Sequence, residues 1–315
     1  MTTSKVPECM KAMDALLDRL VDYAGLFPPA GEDMRPALES YAKYLDSSDR
    51  RALGRFIVPL SRLNELEEVG GDLFPRGPDS EPWKLSVLVA DDVHAAGEEM
   101  RKFNLRHTPV SKDGRAVIDV VELKASTTAE IESQRAELPR SFTPYFEIPT
   151  RGDVSPLVKA LAQVSARAKI RTGGVTPEAF PPADEIIDFI TTCRRERVPF
   201  KATAGLHHPI RGTYRLTYEP DSPTGKMYGF LNVFLAATLV YAGESEHTAL
   251  AVLQEENPLA FSFSDDAIVW RDKRVDAEQI QVSRADFAIS FGSCSFREPV
   301  EGIDGVAHAA RLRNQ

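Results

Sequence analysis

The chain has 315 residues, of which 43% are hydrophobic and 27% are charged. This composition is typical of globular proteins, supports a sizeable apolar core, and excludes wholesale disorder. The 38 lysine and arginine residues against 47 aspartate and glutamate residues give a net charge of -9, which repels a phosphate backbone. We therefore expect no nucleic-acid partner.

Cysteine usage and the apolar runs indicate the compartment. Cys9, Cys193 and Cys294 form no CxxC pair, and an odd number of cysteines argues against a disulfide framework. Residues 1–14 lack the pattern of a secretory leader, and the longest apolar run, residues 230–242, is too short to span a bilayer. The sequence therefore predicts a cytoplasmic protein without a membrane partner.

Short runs of β-branched or aromatic residues alternate with stretches of helical period. The runs predict strands at residues 21–27, 55–60, 85–90, 117–123, 144–148, 168–172, 199–204 and 287–291. Helices are predicted at residues 8–20, 154–166 and 183–197. A strand, a helix and a strand in succession imply parallel pairing, and eight such units close a barrel. We predict one α/β domain over residues 1–315, a (β/α)8 TIM-type barrel, with a doubly wound open sheet as the alternative.

The regular alternation stops after the seventh strand, which predicts an insertion between the last two strands. Residues 209–285 contain a polar loop at 209–226, helices around 228–241 and 246–255, and a hairpin formed by 260–263 and 267–270. An elaboration at this end of a barrel acts most often as a lid or a subunit contact. Assembly into a homo-oligomer is left open by the sequence.

The sharpest functional signal is a lysine inside each of two consecutive apolar strands. Lys169 and Lys201 occupy positions where a parallel sheet, buried on both faces, favours valine or isoleucine. A lysine buried there destabilises the fold unless it has partners or a task. A purely structural explanation for the two lysines is that they pair with Asp119, Glu122 or Glu147 in a buried ionic network. Two such lysines on neighbouring strands, each followed by glycine, favour a site at the carboxyl ends of the strands.

These two strands resemble those of a known family. The segments Lys169-Ile170-Arg171-Thr172-Gly173-Gly174 and Phe200-Lys201-Ala202-Thr203-Ala204-Gly205 are similar to the sixth and seventh strands of deoxyribose-phosphate aldolase, a class I aldolase on a (β/α)8 barrel. The resemblance implies that Lys169 forms a Schiff base and that Lys201 depresses its pKa. The chain differs from the family in Arg171, which adds a cation, and in the long insertion.

Two further segments extend the resemblance. Ile118-Asp119-Val120-Val121 is similar to the strand-four segment that carries the family's acid, which implies a catalytic role for Asp119. Gly292-Ser293-Cys294-Ser295 loosely resembles the phosphate-binding end of the family's eighth strand, which implies that Ser293 contacts substrate.

The chemistry also follows from the residue types alone. A lysine amine attacks a carbonyl carbon only when it is neutral, and burial beside a second cation lowers its pKa. Lys201 and Arg171 supply that charge, and Asp119 or Glu147 can carry protons through water. We therefore expect a carbon-carbon lyase that acts on a small carbonyl compound through a Schiff base on Lys169, without a cofactor.

An anionic substrate group is the second expectation. Thr172, Gly173 and Gly174 form a turn whose backbone N–H groups can bind an anion beside Arg171, and His207 lies just past the next strand. A glycine turn that requires positive φ is the competing explanation. The alternative function is thus a barrel enzyme or binding protein for a phosphate or carboxylate metabolite, with metal assistance left open.

Two points stay open at this level. His207 and His208 suggest a metal ion, but adjacent residues on extended backbone point to opposite faces, so no metal site is predicted. Asp119 and Glu122 are three positions apart, so a regular strand directs them to opposite faces. If Glu122 faces the interior, Asp119 is a structural acid and the aldolase analogy loses its proton relay.

Overall fold

The computed structural model describes residues 10–90, 92–108, 110, 112 and 114–313. Cys9 and the first residues of the helix predicted at 8–20 lie outside this range. The strands are β1 (Val21–Tyr23), β2 (Leu53–Pro59), β3 (Trp83–Leu88), β4 (Ala116–Lys124), β5 (Thr143–Glu147), β6 (Arg167–Arg171), β7 (Phe200–Thr203), β8 (Gly212–Arg215), β9 (Thr224–Met227), β10 (Phe261–Phe263), β11 (Ala267–Trp270), β12 (Lys273–Asp276) and β13 (Ala288–Ser293).

Helices follow most of these strands. They are α1 (Lys11–Leu17), α2 (Met34–Leu45), α3 (Leu63–Gly70), α4 (Val93–Arg106), α5 (Thr128–Glu137), α6 (Ser155–Gln163), α7 (Ala183–Glu196), α8 (Phe230–Tyr241), α9 (Glu246–Leu253), α10 (Ala277–Asp286) and α11 (Arg297–Arg313). Short 3-10 turns occupy Arg50–Ala52, Leu60–Arg62, Pro177–Ala179 and Pro258–Ala260.

Eight parallel strands close into a barrel, which confirms the predicted (β/α)8 fold. Strands β1 to β7 follow one another around the barrel in chain order, and β13 closes it between β7 and β1. All eight predicted runs overlap one of these strands, including 21–27, where the strand is only Val21–Tyr23. The prediction succeeds because a strand buried on both faces keeps a continuous apolar sequence.

The segment between β7 and β13 contains two small antiparallel sheets and helices α8 to α10. The hairpin predicted at 260–270 is present as β10 and β11, and β12 extends it. The loop predicted at 209–226 instead contains most of a second hairpin, β8 paired with β9. The three missed strands, β8, β9 and β12, carry charged or small residues that a search for apolar runs overlooks.

Helix α8 explains the longest apolar run. Residues 230–240 of this helix are all buried, and apart from Asn232 and Thr238 they are apolar on every side of the helix. It packs against α7, α9 and α10 rather than facing solvent along one stripe. Within the part of the chain that the structure describes, no helix has both the length and the apolar content needed to cross a membrane.

Candidate active site

The register of neighbouring strands aligns the two lysines in the barrel. Lys169 on β6 pairs with Lys201 on β7. On the flanking strands, Glu147 of β5 pairs with Lys169, and Ser290 of β13 pairs with Lys201. Neighbouring strands lie about 4.8 Å apart, so these four side chains are within reach of one another. The two amines singled out in the sequence therefore belong to one cluster.

Glu122 on β4 connects the two amines. Lys201 Nζ donates a hydrogen bond to Glu122 Oε1 at 2.7 Å, and Lys169 Nζ lies 2.7 Å from Glu122 Oε2. The Ser86 hydroxyl also donates to Oε1, at 2.7 Å. The two lysines thus share one carboxylate.

Asp22 on β1 holds the other side of Lys201. Lys201 Nζ donates to Asp22 Oδ2 at 2.6 Å, and the Ser290 hydroxyl donates to the same oxygen at 2.8 Å. The backbone N–H of Arg55 donates to Oδ1 at 2.8 Å. These bonds satisfy a carboxylate that would otherwise be buried at high cost, and they fix the position of Lys201.

Glu147 holds the other side of Lys169. Its Oε2 lies 2.9 Å from Lys169 Nζ, and its Oε1 accepts a hydrogen bond from Arg171 Nε at 3.1 Å. Side-chain exposure rises along this series, from 1% for Lys201 to 5% for Lys169, 12% for Glu147 and 48% for Arg171. Solvent therefore approaches the cluster from the carboxyl ends of β5 and β6.

We call Asp22, Glu122, Glu147, Lys169 and Lys201 the interior network. Burial alone would lower the pKa of Lys201, but the charges of Asp22 and Glu122 raise it above the usual value. Burial would raise the pKa of Glu122, yet the two lysines hold it well below its usual range. The pKa of Glu147 is lowered in the same way, by Lys169 and Arg171 against its burial. Lys201 therefore stays protonated at neutral pH.

Asp119 lies in a different ion pair. It accepts two hydrogen bonds from the Arg55 guanidinium, both at 2.7 Å. The pairing of β3 with β4 shifts register so that Leu85 pairs with Ile118 and Ser86 with Val120, which skips Asp119. Glu122, and not Asp119, contacts the two lysines, whereas Asp119 forms its ion pair with Arg55.

Thr172, the first residue of the Thr172-Gly173-Gly174 turn, is bound to the carboxyl end of β7. The Thr172 backbone N–H donates to the carbonyl of Thr203, and its hydroxyl donates to the carbonyl of Ala204 at 2.7 Å. Neither Gly173 nor Gly174 has positive φ, so the explanation by backbone conformation is wrong. Gly173 is required because the Phe180 ring packs where a Cβ would stand.

The remaining predicted residues lie at the carboxyl ends of β7 and β13. Ser293 is buried, and its hydroxyl accepts a hydrogen bond from the Ser295 backbone N–H at 3.3 Å. His207 directs Nδ1 to Glu298 at 2.8 Å, while the ring of His208 stacks on Tyr214 at 3.6 Å between centroids. The described residues contain no group of three or more histidine, cysteine or acidic side chains arranged to hold a metal ion.

Sequence reasoning missed Asp22, Ser86 and Ser290 as parts of the site. Each is a buried polar residue in a barrel strand, so a polar residue inside an apolar run is the signal that finds them. Glu122 was considered as an acid but not assigned a role.

Comparison of the chain with models of protein families, with curated proteins and with solved structures found no match. The resemblance to deoxyribose-phosphate aldolase therefore rests on the two lysine-bearing strands and their surroundings.

Proposed function

We propose that this protein is a carbon-carbon lyase that acts on a small carbonyl compound through a Schiff base on Lys169. One observation carries the proposal: Lys169 and Lys201, on adjacent barrel strands, share the carboxylate of Glu122 in a nearly dry interior. Such a site combines an amine, a second cation and a proton-carrying acid, which are the groups that imine chemistry requires.

Lys169 is the reacting amine, and Lys201 is the cation beside it. Lys201 is fully buried and donates hydrogen bonds to two carboxylates, so its proton is held firmly. Lys169 lies closer to the exposed Arg171 and Glu147, from which a substrate can approach. Lys169 Nζ thus lies between the carboxylates of Glu122 and Glu147, and it shares Glu122 with the charged Lys201.

The carboxylates of Glu122 and Glu147 carry the protons. One of them accepts a proton from Lys169, and the neutral amine then adds to the carbonyl carbon to give a carbinolamine. A protonated carboxyl group returns that proton to the departing hydroxyl, so water leaves and the imine forms. A carboxylate removes the proton of the substrate's β-hydroxyl group, the protonated imine accepts the electron pair of the breaking carbon-carbon bond, and an aldehyde leaves. The remaining enamine takes a proton at carbon, and hydrolysis of the resulting imine releases the second product and regenerates Lys169.

Arg171 is the residue that binds an anionic group of the substrate. Its guanidinium is about half exposed at the edge of the site, and Glu147 occupies one of its nitrogen atoms. A planar guanidinium suits a carboxylate or phosphate. Thermal shifts with organic acids and sugar phosphates test this part: stabilisation in the native protein is expected to disappear in Arg171→Met.

Borohydride trapping tests the reaction. The protein is incubated with a panel of small aldehydes and ketones and reduced, and the adduct is located by peptide mass spectrometry. We expect one adduct per chain, on Lys169, and none on that peptide in Lys169→Met. Lys159→Met, which removes an exposed lysine from α6, is the matched control and leaves trapping unchanged.

The experiment separates chemistry from structure. A well-folded protein that gives no adduct on Lys169 with any carbonyl compound contradicts the proposal. Adducts spread evenly over exposed lysines contradict it as well, because an activated amine reacts ahead of ordinary ones. Circular dichroism of each variant shows whether loss of trapping reflects loss of the fold.

A further inference from the structure

A second polar cluster lies at the carboxyl end of the barrel, apart from the five residues of the interior network. His207 follows β7, Cys294 follows β13, Tyr218 lies between β8 and β9, and Glu298 is in the first turn of α11. We call these four residues the rim cluster. In a (β/α)8 barrel, the loops at this end are the usual place for chemistry.

The rim cluster connects a thiol, an imidazole and a carboxylate in series. Cys294 Sγ lies 3.9 Å from His207 Nε2, and His207 Nδ1 lies 2.8 Å from Glu298 Oε2. The two ring nitrogen atoms of His207 thus face a nucleophile on one side and an acid on the other. A nucleophile, a base and a group that orients the base form the general arrangement for covalent catalysis.

Tyr218 covers the thiol. Its hydroxyl donates to Glu298 Oε2 at 3.0 Å and lies 3.8 Å from Cys294 Sγ. Cys294 is only 5% exposed, whereas Tyr218 is 54% exposed. The half-exposed Tyr218 side chain therefore extends from solvent to the buried thiol.

A cavity of about 310 Å³ adjoins the cluster, with His207, Tyr218 and Glu298 among its lining residues. Its volume lies at the lower end of the range for small-molecule sites. Three of the four residues of the rim cluster therefore face a space that a small ligand can occupy.

The charge of His207 suits proton transfer. Burial would lower its pKa, but the contacts with Cys294 and Glu298 raise it to about 9. The raised pKa makes neutral His207 a stronger base than an ordinary histidine, and the imidazolium that forms when it accepts a proton can protonate a leaving group.

We propose that Cys294 is the nucleophile of a second, acyl-transfer site, and that its substrate is a small ester or thioester bound in the adjoining cavity. Cys294 Sγ bonds to the acyl carbon while the thiol proton passes to the neutral form of His207, which becomes the imidazolium. The carbon-oxygen or carbon-sulfur bond of the substrate breaks, and His207 protonates the departing alcohol or thiol. Water, deprotonated by His207, then attacks the acyl-enzyme, and the carboxylic acid leaves as the Cys294 thiol is restored.

Acylation by p-nitrophenyl acetate tests the proposal. The protein carries Cys9→Ser, so that its remaining cysteines are Cys193 and Cys294. We expect a burst of one p-nitrophenolate per chain and an acetyl group on the Cys294 peptide. Cys193 is fully buried, and burial raises the pKa of its thiol, so it serves as the internal control.

Variants of the rim cluster assign the roles. Cys294→Ser abolishes the burst, and His207→Ala lowers its rate about 100-fold or more. Glu298→Gln lowers the rate by a smaller factor, and it provides a second measurement if His207→Ala does not fold. Tyr218→Ala raises the rate, because it uncovers the thiol. Lys169→Met leaves the burst unchanged, which separates this proposal from the lyase proposal.

Three results overturn the acyl-transfer site. One is the absence of acetylation at Cys294 in a folded protein, including the Tyr218→Ala variant. Another is acetylation of Cys193 or of lysines at the same rate as Cys294. The third is an unchanged rate in folded variants of both His207 and Glu298.

Discussion

The interior network and the rim cluster use different residue types in different surroundings. The interior network has three carboxylates and two ammonium groups, and Glu147 also contacts Arg171, so its charges are balanced. The rim cluster has one carboxylate, one imidazole, one thiol and one phenol, and it adjoins a cavity. In the interior network, protein groups satisfy the charges. The rim cluster instead adjoins a cavity that a small ligand can occupy.

The difference shows how burial decides the role of a polar group. A buried charge needs several partners, and these partners also fix its position, as they do for Lys201. A half-exposed residue such as Tyr218 can move at low cost, because water replaces its contacts. We therefore expect substitutions in the interior network to affect stability more than substitutions in the rim cluster.

Removal of the shared carboxylate has the largest expected effect. Glu122→Gln leaves two buried ammonium groups without their common partner, and we expect it to lower the free energy of unfolding by about 3 to 5 kcal/mol. Urea denaturation measures this change. The control is Glu65→Gln in the exposed pair with Arg62, where the loss stays within about 1 kcal/mol. Equal losses in the two variants would contradict the distinction between buried and exposed pairs.

The packing above the two lysine strands gives the second effect. Gly173 follows β6, Gly205 follows β7, and the Phe180 ring packs against both. Gly173→Ala places a methyl group into this ring, and we expect a loss of about 1 to 3 kcal/mol in thermal or chemical unfolding. The double variant Gly173→Ala, Phe180→Leu recovers part of that loss.

A matched glycine provides the control for this steric argument. Gly305 lies in α11, and nothing lies within 4 Å of a Cβ built on it. Gly305→Ala is therefore expected to raise stability by up to about 1 kcal/mol, because alanine favours the helix. A loss of stability at both glycines would count against the contact with Phe180 as the cause.

The pH dependence of stability separates the two regions further. The pKa of His207 is raised to about 9, so its contribution is complete below its usual pKa of about 6.5 and is lost as the pH rises through 9. We expect a fall on the order of 1 to 2 kcal/mol between these values in the native protein. We expect His207→Gln to remove this dependence of stability on pH. If the dependence persists in the variant, another group causes it.

The interior network responds at the extremes of pH instead. Glu122 and Glu147 have lowered pKa values, so their contribution is present above the usual glutamate pKa of about 4.3 and is lost as the pH falls. Lys201 has a raised pKa, so its contribution is present below its usual value of about 10.4 and is lost in more alkaline solution.

The smallest expected effect tests the choice between two acids on β4. Asp119→Asn weakens a partly exposed ion pair with Arg55 and costs about 1 kcal/mol of stability. It leaves borohydride trapping on Lys169 unchanged, because Glu122 contacts the lysine. A loss of trapping in folded Asp119→Asn would reassign the proton-carrying acid to Asp119.

The sequence by itself determined the barrel and the two amines. Apolar strands that alternate with helices can bury both faces of their sheet in only a few folds. A lysine inside such an apolar strand is a clear departure from the pattern. Lys169 and Lys201 were therefore recognisable without coordinates, and so was their place on neighbouring strands.

The tertiary structure decided which side chains meet these amines. A shift in register between β3 and β4 is invisible in a strand pattern, yet it gives Glu122 the contact with the lysines and leaves Asp119 with Arg55. Cys294 and His207 are 87 positions apart, and only closure of the barrel by β13 brings them together. Periodicity reports the environment of each residue along its own strand, whereas a site depends on the register and closure between strands.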